Sequence, residues 1–312
     1  MDLGEVCLLL HRSQFSYTHR RERFLCHTWE FLCSHRRAMK TLLVVGGVVG
    51  FAPEFPGVRV ETRRLQNARW ILRDDQSLWF LDAAGALRVD AVLWRVGAIR
   101  PLAEHRHALE LIRLSGVPCV NSAATLLRGF ERLSMLAELR EVGVPMVAFS
   151  AALGEGSLEA IEPELPCVMK VGNWHGGIGK ARLQNHEEWL DGRDLALATS
   201  DYATVEPYIE YTRDVRVMIV GEQMWAMERQ SGSWKVNRGT ARVRVIEPPE
   251  EIAGWTRRIA SHLKADMLGV DWIETPEGEW KCLESNDVPG LMGWPDEVKL
   301  ALVAGVRRFI KS

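Results

Sequence analysis

The sequence predicts an α/β protein, and three observations predict it. Short strands rich in β-branched residues alternate with helical stretches from Met39 onward, the pattern of a parallel sheet covered on both faces. Helical stretches end on recognisable stops, such as Gly116-Val117-Pro118, where a glycine closes the helix and a proline prevents its continuation. Near the C-terminus two strand-like runs, Leu268-Gly269-Val270-Asp271-Trp272-Ile273 and Trp280-Lys281-Cys282-Leu283-Glu284-Ser285-Asn286, flank the turn formers Thr275-Pro276-Glu277-Gly278 and read as a β-hairpin.

Residues 1–38 differ from everything after them. They hold four of the nine histidines, three of the six cysteines and six arginines, with one glycine. Cys26, His27, Cys33 and His35 offer ligand atoms, but six residues between the cysteines is not usual zinc spacing. The apolar run before His11 is too short for a signal peptide. We expect an extension there, disordered or a misassigned start, with the folded domain beginning at Met39. The first strand is expected at Thr41–Val45 and another at Ala91–Trp94, followed by helices over residues 101–115 and 122–143. Gly46, Gly47 and Gly50 follow the first strand, but Val45 breaks the dinucleotide fingerprint, so a tight turn is expected and a Rossmann oxidoreductase is not. Further strands are expected over 166–171 and 213–221. Amphipathic helices are expected over 250–268 and 295–310, the last with Pro295 in its first turn.

Composition narrows the class. A chain of 312 residues can hold two or three small domains and bury a sizeable core. A net charge of −2 with both signs interspersed argues against a nucleic-acid or membrane-surface partner. The longest apolar run, residues 42–52, is too short and too rich in glycine to span a bilayer. Cys119, Cys167 and Cys282 lie in apolar segments and read as buried reduced thiols, which fits a cytoplasmic protein.

Chemistry concentrates in the second half. A hairpin turn centred near Pro276 and Glu277 sets Asp271 opposite Glu284, and cross-strand neighbours sit roughly 4.5–5.5 Å apart at Cβ. Glu284 and Asn286 share a face because they are two apart on one strand. Two carboxylates and an amide then converge as a hard divalent cation requires. Upstream, Lys170 closes an apolar strand and precedes Gly172-Asn173-Trp174-His175-Gly176-Gly177-Ile178-Gly179-Lys180. Glycines let the backbone approach an anion, and a lysine at the end of a buried strand calls for one. This is no Walker A loop, because the lysine precedes the glycines and Ala181 stands where Ser or Thr is needed. Next come Glu206-Pro207-Tyr208-Ile209, then a strand with Asp214 and Arg216 on one face, then Arg229, Lys235 and Asn237.

This order resembles the ATP-grasp superfamily over about residues 91–293, and within it the RimK-type carboxylate–amine ligases and the synapsin ATP-binding core. The resemblance implies an ATP-grasp fold, with an N-terminal α/β domain at 39–120, a lid subdomain at 121–205 and a C-terminal subdomain with the metal site at 206–312. It implies that Lys170 contacts the α/β-phosphates beneath a lid containing Gly176, Gly177, Gly179 and Lys180. Glu206, Pro207, Tyr208 and Ile209 would form the hinge at the adenine edge, and Asp214 would hold the ribose. Arg229, Lys235 and Asn237 would face the γ-phosphate and the acyl group, and Asp271, Glu284 and Asn286 would carry Mg²⁺ or Mn²⁺, two ions in all. Where the family usually has a phosphate-reaching lysine after Asn-Ser, this chain has Arg132, and a planar fork differs from a compact ammonium.

The implied activity is ATP-dependent amide formation through an acylphosphate, on amino acid or peptide substrates. Arg95, in an Arg-x-Gly at the carboxyl end of a strand, is the candidate for gripping a substrate carboxylate, with Arg216 beside the metal residues as a second contact. The alternative is a synapsin-like module that binds ATP without turnover. The Glu284-Ser285-Asn286 pair and the absence of long proline-rich flanks in this sequence favour the ligase. Related ligases often assemble as dimers or tetramers, which leaves a homo-oligomer open, and the sequence does not decide it.

Overall fold

The computed structural model describes residues 39–46, 51–97, 100–199, 202–235 and 242–311. The chain divides into Met1–Met39 and Lys40–Ser312, and the architecture below is that of the second unit. The zinc reading of Cys26, His27, Cys33 and His35, the turn at Gly47 and Gly50, and Asn237 lie outside the described residues.

The unit begins with β1 (Thr41–Val45) and β2 (Arg59–Arg63). An antiparallel meander follows, β3 (Arg69–Leu72), β4 (Leu78–Asp82) and β5 (Gly85–Val89), and then β6 (Ala91–Trp94), α1 (Ala103–Ser115) and β7 (Cys119–Val120). Strands β2-β1-β6-β7 form the expected parallel sheet. Every residue of β1 is buried because both faces are covered. Leu43 and Val45 pack with Leu109 and Ile112 of α1 and with Phe80 of the meander. Leu42 and Val44 pack with Leu302 and Val306 of the C-terminal helix.

The single helix expected over 122–143 is two, α2 (Ala123–Arg128) and α3 (Arg132–Val142). Ser122 caps α2 by accepting from the Thr125 amide, and the chain turns out of helix at Gly129. The start of α3 is satisfied from outside: the Arg132 amide donates to Asn173 Oδ1 at 2.8 Å. Periodicity cannot reveal that bond, which is why the break is missed.

Next come β8 (Ser150–Leu153), α4 (Glu155–Glu159), β9 (Cys167–Val171), β10 (Lys180–Leu183), α5 (His186–Thr199) and β11 (Tyr202–Pro207). They build a four-stranded antiparallel sheet, β10-β9-β11-β8, over a core that includes Met169, Leu183, Trp189 and Val205.

The last part holds β12 (Arg213–Val220), β13 (Gln223–Gln230), β14 (Arg242–Ile246), α6 (Glu250–Leu263), β15 (Met267–Glu274), β16 (Trp280–Asn286) and α7 (Asp296–Lys311). The strands form a five-stranded antiparallel sheet in the order β14-β13-β12-β15-β16. Helix α6 stops five residues earlier than the sequence pattern suggests. Lys264 takes a left-handed conformation, φ 53°, and β15 begins at Met267. The hairpin forms as expected, with Asp271 paired to Glu284. A bulge between Asp271 and Trp272 skips Leu283, which re-aims the strand locally. Among the described residues no helix is long and apolar enough to cross a membrane.

Candidate functional site

Two sheets face each other across a cavity of about 790 Å³, counting its open mouth. Val147, Val168, Ile209, Ile273, Leu283 and Trp234 give it apolar walls. Charged side chains share the lining, and the alternation of strand side chains brings them there. Asp214 and Arg216 sit two apart on β12; Arg229 pairs with Asp214 across β13, and Asp271 pairs with Arg216 across β15. Glu284 follows across β16. On the facing sheet Lys170 and Lys180 are cross-strand neighbours on β9 and β10.

The lining carries four cations, Lys170, Lys180, Arg229 and Lys235, and four carboxylates, Glu206, Asp214, Asp271 and Glu284. They answer one another. Lys170 Nζ lies 2.5 Å from Glu206, and Lys180 Nζ 3.1 Å from Glu284. Arg216 grips Asp271 with both arms, at 2.5 and 2.6 Å. Arg229 Nε donates to Asp214 at 2.6 Å and its terminal nitrogen lies 3.4 Å from Asp271. Lys235 stands 5.2 Å from the centre of the Trp234 ring.

Burial and pairing compete at each group. Burial alone would raise the Glu284 carboxyl, but Lys180, Arg132 and Lys170 outweigh it and hold it well below the usual carboxylate range. Burial would likewise raise Asp271, and Arg216 with Arg229 lowers it. At Asp214 burial wins over Arg229 and pushes the carboxyl up to about 6. Burial pulls the Lys170 ammonium down, against the opposing charge of Glu206.

The glycine-rich stretch forms a tight loop joining β9 to β10. Gly176, Gly177 and Gly179 all have positive φ, and a Cβ on Gly179 would meet the Val171 carbonyl at 2.9 Å. Gly177 lines the cavity. The loop is fastened to α3, since Asn173 accepts from the Arg132 amide and the Trp174 carbonyl accepts from the Arg132 guanidinium at 2.6 Å.

Of the remaining sequence candidates, Glu206, Pro207, Tyr208 and Ile209 line the cavity together. The Tyr208 amide is already spent on the Pro166 carbonyl at 2.9 Å, so it is not free to meet a ligand edge. Arg95 lines neither this cavity nor the next. Its guanidinium donates to the Pro289 carbonyl at 2.7 Å, and burial pulls it down to about 10. Among the described residues it has no carboxylate partner; it ties down the turn after β16 instead of reaching a ligand. Arg216 sits behind Asp271, committed to it. Arg132 and Asn286 line a second cavity, with Trp94, Phe130, His175 and Asp287.

For a divalent cation the donors fit in kind: Asp271 and Glu284 offer hard oxygens. Asn286 adds a buried amide nitrogen with no partner among the described residues, and an amide flip would present its oxygen there.

Sequence reasoning passes over Asn121. Its Nδ2 donates to the Met267 and Asp287 carbonyls, both at 2.6 Å, and its Oδ1 accepts from the Met267 amide at 2.8 Å. It therefore clamps the start of β15 to the end of β16 and holds the two carboxylate-bearing strands in register. It also passes over Asp287, which directly follows Glu284-Ser285-Asn286 and for that reason was within reach.

The four-stranded antiparallel sheet with its glycine-rich loop and the five-stranded sheet across the cavity give this chain an ATP-grasp fold. A solved RimK-domain ATP-grasp protein from Sphaerobacter thermophilus superposes with a TM-score of 0.64, covering 87% of this chain and 100% of that one at 18% identity. The family described as "Synapsin, ATP binding domain" matches residues 155–288. The chain is similar to the synapsin of Drosophila melanogaster, 27% identical over 218 residues, which are 65% of this chain and 21% of that one. It is also similar to the glutamate–LysW ligase ArgX of Sulfurisphaera tokodaii, 24% identical over 232 residues, 70% of this chain and 82% of that one.

Proposed function

We propose that this chain is an ATP-dependent ligase that joins a carboxylate to an amine through an acylphosphate. The carrying observation is the lining of the first cavity: apolar side chains able to take a planar ring, together with paired cations and carboxylates. The lining is balanced as it stands, so incoming phosphates need added positive charge. Divalent cations on Asp271, Glu284 and Asn286 would supply it, drawing charge from the phosphoryl oxygens.

Lys170 and Lys180 hold the phosphates when they exchange their carboxylate partners for the nucleotide. The substrate carboxylate attacks the terminal phosphorus and the bond to the bridging oxygen breaks, leaving ADP. Arg229 and Lys235 neutralise charge on the transferring group. The amine nitrogen then attacks the acyl carbon, phosphate leaves with the bonding pair, and the amine gives up its proton. The glycine-rich loop, tied to α3, keeps water from the acylphosphate.

The match to the synapsin ATP-binding domain supports a second reading, ATP binding without turnover. Phosphate release from Mg·ATP, with and without a mixture of the proteinogenic amino acids, separates them, beside a Glu284→Gln control. Release that rises with the mixture and disappears in the control is the expected result. Tight ATP binding with no release under any mixture selects the synapsin-like reading.

A further inference from the structure

The second cavity is the unassigned feature of this fold. It is lined from the carboxyl end of β6, the α2–α3 junction, the glycine-rich loop and the end of β16, the strand that carries Glu284. Trp94 and Phe130 give it apolar walls. Two groups of opposite sign also line it, and each has capacity left over.

Arg132 is the first. The resemblance implies that it reaches nucleotide phosphates, but it lines this cavity and not the one lined by Lys170 and Lys180. Only 2% of it is exposed. One terminal nitrogen donates to the Trp174 carbonyl at 2.6 Å and the other lies 3.5 Å from Glu284. Its Nε is buried and has no partner among the described residues. A buried guanidinium donor left unmade costs free energy until an acceptor arrives. A lysine at this position would have no Nε to leave over.

Asp287 is the second. No cation pairs with it among the described residues; burial raises its carboxyl, and only the backbone amides at 287 and 288 oppose that. A Cβ on Gly129 would stand 3.4 Å from its Oδ2, so the neighbouring backbone leaves the carboxylate room on that side. A carboxylate in a cavity without a cation is a place for one.

We propose that Arg132 and Asp287 are the recognition pair of this second cavity, taking respectively the carboxylate and the ammonium of a small zwitterionic substrate. The cavity is then the amino-acid chamber of the ligase proposed above, on which this assignment rests. The ligand then stands at the end of β16, the strand that carries Glu284. Arg132, through Glu284 and Trp174, is the physical link between the two chambers and the loop.

Equilibrium dialysis tests the pair directly. Each proteinogenic amino acid is dialysed against the full chain holding Mg²⁺ and a non-hydrolysable ATP analogue. Arg132→Lys and Asp287→Asn are compared with the wild type, and the analogue's own affinity and the thermal midpoint are read alongside. The expected result is that at least one amino acid binds the wild type and loses tenfold or more in each variant, while analogue affinity moves less than twofold. Loss of analogue affinity in Arg132→Lys with amino-acid binding unchanged overturns the assignment and returns Arg132 to the phosphates. Unchanged binding in Asp287→Asn removes Asp287 from the pair. If no amino acid binds but a simple carboxylate or amine stimulates phosphate release, the zwitterion is wrong and the ligase stands. If nothing binds and nothing stimulates release, both fall.

Discussion

The two faces of the five-stranded sheet are built from the same strands and are stable for opposite reasons. On one face Val215, Val217, Val270 and Trp272 are fully buried against Leu139 of α3 and Ile252 and Ile259 of α6. On the other, Asp214, Arg229, Asp271 and Glu284 are each less than a tenth exposed. Alternation separates them on β12 and β15, and the bulge at Leu283 puts Glu284 on the charged face although Cys282, two residues before it, joins the apolar one. Burial of the first face is favourable whatever else is present. Burial of the second holds only while each charge is answered, because removing a charge from water costs several kcal/mol per ion. The apolar face is finished when the chain folds; the charged face keeps partners it can exchange.

Trp272→Ala is the largest break on the apolar side. It leaves a cavity and deprives Thr256 of the indole donor 3.3 Å away, so a loss of about 3–5 kcal/mol is expected in urea denaturation. Added ADP should shift the midpoints of wild type and variant equally, since nothing on this face meets a ligand.

Glu206→Gln is the matching change in the charged cleft. It leaves the buried Lys170 ammonium without its 2.5 Å partner, an expected loss of about 1–3 kcal/mol in the ligand-free protein. Here ADP should restore more than it adds to the wild type, because phosphate answers Lys170. Equal ADP shifts in both proteins would mean that Lys170 does not reach the phosphates.

The same exchange makes metal and nucleotide dependent on each other. Lys180 and Arg132 occupy Glu284, and Arg216 occupies Asp271, so a divalent cation arriving alone meets neutralised carboxylates. Phosphates that draw Lys180 away free Glu284. Mn²⁺ binding followed by paramagnetic resonance should therefore tighten roughly 5–150-fold when ADP is present, a coupling of about 1–3 kcal/mol. Lys180→Ala should reduce that coupling, and an ADP-independent affinity would contradict the exchange.

The charged face was legible in the sequence because period two is visible in a string of residues. Asp271 and Glu284 could be placed opposite each other from the turn formers alone, and Asp214 with Arg216 from their spacing. The second cavity was not legible. Its walls come from β6, the α2–α3 junction and β16, distant segments that long-range ties such as the clasp of Asn121 on Met267 and Asp287 bring together. Arg95 fell to the same cause: its place at a strand end suggested a ligand, but the turn at Pro289 folds back onto it. The helix break before Arg132 depends on Asn173, some forty residues on. Local signals fix strands and their faces, while long-range caps decide which charges are left for a ligand.

Asp214 gives the smallest and most selective probe of the charged face. Burial raises its carboxyl from an ordinary 3.8 to about 6, so between those values the folded protein binds more protons than the unfolded chain. Stability then falls as pH rises through this window and levels off above about 6, the reverse of a carboxylate stabilised by its partners. Roughly one unit of the shift lies between pH 5 and pH 7, worth about 1 kcal/mol. Urea midpoints at the two pH values should differ by that amount more in the wild type than in Asp214→Asn. Asp271 and Glu284, held below their ordinary values, contribute stability that is present above the unfolded carboxylate range and lost only on further acidification, so they leave this window flat. A wild-type slope of the opposite sign would mean that Arg229 outweighs burial at Asp214 and that the charged face is closed as tightly at this edge as at Asp271.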